Sequence, residues 1–228
     1  MKKFLNIYNI LGLSFLFLFI LLMILLNADK GVIAGSGQPV GLSHINKLVT
    51  YSEDKSADKM SDILLYASFI ALFAAGCFGL YQLIRRKSLK KVDIELYAFV
   101  VGMAVSVILW LLFDKVLKIN VRPLNADEGS FPSTHVFVIT FQLLFGHYLL
   151  SKYKDDKAVK YVSLVLAVIA IGATALLRVV AGKHYITDIC GGLLLGLAIY
   201  FLVVGILKVI INKKNEVKTE TKTDEEHE

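Results

Sequence analysis

Hydrophobic residues in this chain gather into long unbroken blocks instead of alternating with polar ones as in a soluble fold. Six blocks carry no charge: residues 4–28, 63–84, 96–113, 131–150, 161–177 and 189–207. A helix crossing the hydrocarbon core of a bilayer needs roughly 20 mostly apolar residues, so each block predicts one crossing. The fifth is short, and tilt or the snorkelling side chains of Lys160 and Arg178 would extend it. No two-residue alternation speaks for strands, and lipid leaves only helices or closed barrels as spanning structures. The pattern predicts an all-α polytopic membrane protein, a bundle of six transmembrane helices. Lys2 and Lys3 before the first block are also what a secretory leader would show. That block is long for a leader and no small-x-small cleavage site follows, so it reads as an uncleaved helix.

The segments between the blocks are less uniform. In 29–62, Val40, Leu42, Ile45, Leu48 and Val49 fall near helical spacing, which suggests a short amphipathic helix on the membrane surface; an unstructured polar loop is the competing reading. From residue 212 the chain is rich in Lys, Glu and Thr. It reads as a polar, disordered cytoplasmic tail (212–228) behind a six-span domain of residues 1–211.

Composition agrees with the pattern. Of 228 residues 56% are hydrophobic and 19% charged, against about 25% charged in ordinary soluble domains. The net charge of +6 does not point to nucleic acid, because no basic stripe interleaved with aromatics occurs. The basic residues sit instead in short loops, where lipid headgroups and the positive-inside rule account for them. The N-terminus, residues 85–95 and 151–160 and the tail from 208 carry sixteen Lys and Arg, and the opposite side carries nine. Both termini are therefore expected in the cytoplasm, with 29–62, 114–130 and 178–188 facing outward from a plasma membrane. Cys77 and Cys190, within or at the edge of apolar blocks, read as small buried hydrophobes without a disulfide.

Ionisable residues at span ends invite a functional reading, and here they converge. Lys115, Arg122 and Pro123 follow the third span, Pro132, Ser133, Thr134 and His135 open the fourth, and Arg178, His184 and Asp188 bracket the last connection. All fall on the outer side of a topology derived without them. Only four of the 25 basic residues are arginine, and two of those, Arg122 and Arg178, stand in this group. A planar guanidinium fork suits bidentate phosphate binding. Three converging cations would neutralise a phosphate dianion, and the extra charge of its transition state, without a metal. Pro132 suits a first helical position, which would aim the N–H groups near Ser133 and Thr134 at the same anion. His184 and Asp188, four apart, share a helix face, so the carboxylate can hold one ring nitrogen and leave the other nucleophilic. His135 is then free to act as general acid. Taken singly, the His184–Asp188 pair is also an ordinary surface pair and His135 a weak signal. A metal reading lacks further ligands at metal spacing. His147, in mid-span, reads as a packed histidine, His44 and His227 as solvated, and Tyr185 and Trp110 as interfacial aromatics.

Lys115-x6-Arg122-Pro123, Pro132-Ser133-Thr134-His135 and Arg178-x5-His184-x3-Asp188 together resemble the three-part signature of the type 2 phosphatidic acid phosphatase (PAP2) superfamily. Nine positions match in order. Thr134 stands where the family usually has glycine, and Leu177 where it usually has serine. The resemblance implies His184 as the nucleophile of a phosphohistidine intermediate, Asp188 as its orienting partner and His135 as proton donor to the leaving group. It implies Lys115, Arg122, Ser133 and Arg178 as phosphate ligands, with Thr134 beside them, and neither metal nor cofactor. The implied activity is hydrolysis of lipid phosphates or diphosphates at the outer membrane surface. Undecaprenyl diphosphate, phosphatidic acid and phosphatidylglycerol phosphate are candidate substrates. The same site could serve a lipid phosphotransferase. A transporter would place ionisable residues in mid-membrane, and a non-enzymatic scaffold would have lost His184, His135 or an arginine.

Overall fold

The computed structural model describes residues 6–33 and 37–225, with side chains through 216. Residues 4 and 5 of the first predicted block, the last three residues of the predicted tail and His227 among them lie outside that range.

The chain runs as α1 (Ile7–Ala28), a two-stranded antiparallel hairpin β1 (Lys30–Val32) and β2 (Pro39–Gly41), and a single turn α2 (Ser43–Asn46). Then follow α3 (Lys55–Arg86), α4 (Ile94–Leu111), which continues through a wide π-helical turn at Leu112–Leu117, α5 (Thr134–Tyr153), α6 (Lys157–Val180) and α7 (Ile186–Glu225). Six of these helices are long and apolar enough to cross a membrane. The protein is a multi-pass helical membrane protein.

Packing gives each helix its place. α5 sits in the middle, against α3, α4, α6 and α7, and buries Phe137, Phe141 and Phe145. Gly102 of α4 admits the Phe141 ring, which a β-carbon there would strike. α1 runs antiparallel along α7, Gly12 fitting against Leu202 and Asn6 donating to the Gly205 carbonyl at 3.0 Å. Between lipid-embedded helices, where no hydrophobic effect separates protein from solvent, small residues allow this close approach. Both described chain ends thus lie at one end of the bundle. At that end Asp93 accepts from Arg86 at 2.7 Å, Tyr153 at 2.8 Å and Gln82 at 2.9 Å.

Four expectations change. α3 starts eight residues ahead of its predicted apolar block, because Asp54 caps it, its Oδ1 accepting from Ser56 and Ala57 N–H. At about 1.5 Å per residue its 32 residues span about 48 Å, well beyond the ~30 Å hydrocarbon core, so its first turns stand proud of the membrane. Residues 40–49 do not form a surface helix. Val40 lies in β2 and Leu42 just before α2, both buried against the bundle, while Asn46 donates to Thr187 Oγ1 at 2.9 Å. The segment is a cap bonded onto the end of α7. α7 itself remains helical from 212 to 225 where a disordered tail is expected; Lys and Glu are good helix formers and continue a helix already nucleated in the membrane. Finally, Cys77 and Cys190 are free, but exposed on helix surfaces. In a bilayer an apolar residue is as much at home facing lipid as facing protein, so an apolar block does not mark burial.

Candidate active site

At the end of the bundle opposite the termini a cavity of about 500 Å³ opens between α3, α4, α5 and the connection from α6 to α7. Its polar lining is Lys115, Arg122, Ser130, Thr134, His135, Arg178 and His184, with Asp114 and Glu128. Leu65, Phe69, Met103, Val107, Trp110 and Phe113 line the membrane-ward part. Ser133 and Asp188 are buried just behind it. Every residue singled out for this chemistry, drawn from three separated stretches, lies at this one place.

Each arrives by a local cause. α4 ends in the wide turn that carries Asp114 and Lys115, and Lys118 leaves it in the left-handed conformation. The chain then doubles back: Val121 bridges Gly129, and Ser130 N–H donates to the Asn120 carbonyl at 2.8 Å. This hairpin presents Arg122, whose Nη1 pairs with Glu128 at 3.0 Å. Lys115 is the most exposed of the cations and pairs with Asp114 at 2.6 Å, so it forms the rim.

Ser133 is the N-cap of α5, but its hydroxyl makes no capping bond. Its N–H donates to the Asp188 carbonyl at 3.0 Å, so this amide is not aimed at an anion. Pro132 precedes the cap instead of taking the first helical position, which Thr134 holds. Leu177 is not among the residues lining the cavity.

Arg178 lies in the last turn of α6 and is 3% exposed. Its Nη1 donates to Asp58 Oδ1 at 2.7 Å and to Ser61 Oγ at 3.2 Å. Its carbonyl accepts from Lys183 and His184 N–H, across a turn that Gly182 makes at φ +66°. Glycine suits this turn because the conformation is costly for a side chain and a β-carbon would strike Ser52 and Leu124. One residue thus supplies a guanidinium to the cavity and fixes the loop of the candidate nucleophile.

His184 is buried, its Nδ1 3.8 Å from Asp188 Oδ2. The carboxylate holds this side of the ring electrostatically and leaves Nε2 on the far side. Asp188 is itself clamped: Oδ2 accepts the Tyr185 N–H at 2.9 Å, and Oδ1 accepts Asn120 Nδ2 at 3.3 Å. Burial holds the His184 pKa below the ordinary histidine range, with Arg178 and Arg122 adding to the effect and Asp188 opposing it. This direction favours the neutral ring. Tyr185 is buried edge-on to Tyr51, with ring centroids 5.0 Å apart, and is not the exposed interfacial aromatic expected. Burial and then the charge of Asp188 push the Tyr51 phenol up to about 12. His135, in the first turn of α5, bonds Asp62 Oδ1 through Nε2 at 2.8 Å.

Three participants escaped the sequence reading. Asp58 and Asp62, on the projecting turns of α3, fell in a segment read as loop. Their four-residue spacing was the available signal, and Asp54 ahead of them marks the cap. Asn120, inside the first motif, gave no signal, since asparagine is common in loops. His147 bonds Ser163 at 2.8 Å as a packed histidine should, and His44 pairs with Asp29 at 3.0 Å.

Among the described residues, Arg122 Nε, Arg178 Nε and Ser133 Oγ are buried and make no hydrogen bond within the protein. Buried donors are costly to leave unpaired, and here two belong to residues lining one cavity beside an imidazole and the third lies just behind it. The fold and this site define an integral membrane helical bundle built around a cavity lined by cations and two histidines. The chain belongs to the PAP2 superfamily, whose family profile matches residues 66–211. It is 37% identical over 109 residues to phosphatidylglycerophosphatase B of Bacillus subtilis (strain 168), a match covering 41% of this chain and 51% of that protein. The matched region thus spans about half the length of that relative. The fold is similar to that of a transmembrane PAP2-type phosphatidylglycerolphosphate phosphatase from Bacillus subtilis, with a TM-score of 0.57 and 20% identity, over 86% of this chain and 95% of that one.

Proposed function

We propose that the protein is a lipid phosphate phosphatase working through a phosphohistidine on His184, with phosphatidylglycerol phosphate as its leading substrate. The observation that carries this reading is the set of buried, unpartnered donors: Arg122 Nε and Arg178 Nε, on residues that line the His184 cavity, and Ser133 Oγ just behind it. They match the non-bridging oxygens of a phosphoryl group, and the guanidinium charges grow in value as negative charge accumulates in the transition state. The apolar lower wall suits a lipid's glycerol and upper acyl segments. The name of the 37%-identical relative favours the phosphatidylglycerol headgroup.

The chemistry follows from the roles. His184 Nε2 attacks phosphorus as the ester P–O bond breaks, and His135 gives its proton to the departing alkoxide. Asp188 stabilises the positive charge on the His184 ring. Water then attacks the phosphohistidine, passing its proton to the now neutral His135, and the N–P bond breaks to release inorganic phosphate. Arginines and lysine supply the positive charge throughout, so a metal is not required. The excess of Lys and Arg in the loops at the termini end supports a cytoplasmic location for both termini and an outward-facing site.

The test is phosphate release from phosphatidylglycerol phosphate, phosphatidic acid and undecaprenyl diphosphate by detergent-solubilised protein in EDTA. The expected result is turnover that survives EDTA, is fastest on phosphatidylglycerol phosphate and is abolished in His184→Ala. A fully active His184→Ala protein, or one silenced by EDTA, would overturn the mechanism. A different substrate order would reassign the headgroup alone.

A further inference from the structure

The phosphatase reading gives His135 a proton to donate and then to recover, but leaves open what holds its ring for that work. The structure places Asp62 there. Asp62 Oδ1 lies 2.8 Å from His135 Nε2, and His135 lines the cavity. Both carboxylate and histidine are fixed. Asp62 sits on the projecting turns of α3, which Asp54 caps and which two contacts fasten to Arg178, through Asp58 at 2.7 Å and Ser61 Oγ at 3.2 Å. His135 sits in the first turn of α5, whose start is tied to Asp188 through the Ser133 amide.

We propose that Asp62 is the positioning residue of the general acid–base His135, so that the site contains two histidine–carboxylate pairs with opposite tasks. In the pair of His184 and Asp188 the ring starts neutral and attacks. In the pair of His135 and Asp62 the ring must take up a proton before it can give one to the leaving oxygen, and the carboxylate is placed to support that charge. A carboxylate on Nε2 reserves Nδ1 for the leaving oxygen and favours the imidazolium. The charged and titratable groups facing His135 are Asp62 from α3, Arg178 from α6 and His184 from the connecting loop, with Lys115, Arg122, Asp114 and Glu128 around the same cavity. Among those three neighbours Asp62 alone favours the protonated ring. Asp62 also lies outside residues 66–211, the part of the chain that the family profile matches.

The inference rests on the phosphatase reading, and leaving-group chemistry separates the two. Expulsion of a lipid alkoxide needs a proton; expulsion of p-nitrophenolate does not. In the full-length detergent-solubilised protein, Asp62→Asn should slow the first turnover of phosphatidylglycerol phosphate by roughly tenfold or more, a share of what general acids contribute. The first-turnover burst of nitrophenolate from p-nitrophenyl phosphate should stay within about twofold, a rate difference too small to reflect loss of an acid catalyst. That burst also reports that the variant is folded. The alkaline limb of the lipid reaction should move to lower pH, and Asp62→Glu should restore part of the lipid rate. Equal losses on both substrates, or unimpaired lipid turnover, would overturn the role of Asp62 alone. A wild-type protein that places no acid-labile phosphate on His184 would overturn both readings.

Discussion

Asn120 carries no charge, yet it joins three separate parts of the site. Its Nδ2 donates to Asp188 Oδ1, and its Oδ1 accepts the Gly41 N–H at 3.0 Å, so the hairpin cap, the first motif and the third motif meet on one side chain. Asn120→Ala should lower kcat with little change in KM, because it loosens the carboxylate behind His184 without touching the phosphate ligands. Asn120→Asp should cost more, by setting a second negative charge against Asp188; steady-state kinetics on one lipid phosphate ranks the two. His184 carries a pH prediction of its own. Its pKa is lowered, so the ring gains its proton only below the ordinary histidine value of about 6.5. The acidic limb of kcat/KM should therefore lie below that pH, and a limb at or above it would contradict a neutral buried nucleophile. Arg178→Lys should raise KM and lower kcat together, since an ammonium keeps the charge but not the fork.

Among the elements, α3 shows what hydropathy reveals and what it hides. Its membrane portion was legible because uncharged apolar runs of that length have few other uses. Its first eight residues were not, because a rule that ends a span at the first charges cannot see a helix continuing into water. Asp54→Ala should cost about 1 kcal/mol of helix stability and reduce turnover more than substrate affinity, as the turns bearing Asp58 and Asp62 fray. Hydrogen exchange of the amides at 55–62 would check the fraying directly. The arginines and histidines of the site were legible for a related reason: few of either occur in the chain, and at span ends they stand out against apolar blocks. Their partners, Asp58, Asp62 and Asn120, are ordinary in loops, and only the packing of α3 and the hairpin cap gives them meaning. The burial of Tyr185 was hidden for the same reason. α7 beyond residue 212 projects from the end opposite the cavity, so truncation there should leave activity within about twofold, too little to reflect a lost transition-state contact.

For the whole molecule, the bundle sorts its charges by end. The end bearing the termini holds Asp93 in its bonds to Arg86, Tyr153 and Gln82; the other holds the cavity. If the cavity faces outward, a cysteine placed at Asn125 should react in intact cells with a membrane-impermeant maleimide, while Cys77, on a lipid-facing helix surface, should not. Labelling of position 125 only after permeabilisation would reverse the orientation.

The cations around the cavity are not idle: Arg178 is paired with Asp58, Arg122 with Glu128, and Lys115 with Asp114. An incoming anion must compete with carboxylates that never leave. A lipid brings its own hydrophobic anchorage to that contest, whereas free inorganic phosphate brings only its charge. A phosphatase built this way should resist product inhibition, clearing the released phosphate while still admitting the next ester. Asp58→Asn would remove that competitor, and phosphate and vanadate should then inhibit several-fold more tightly.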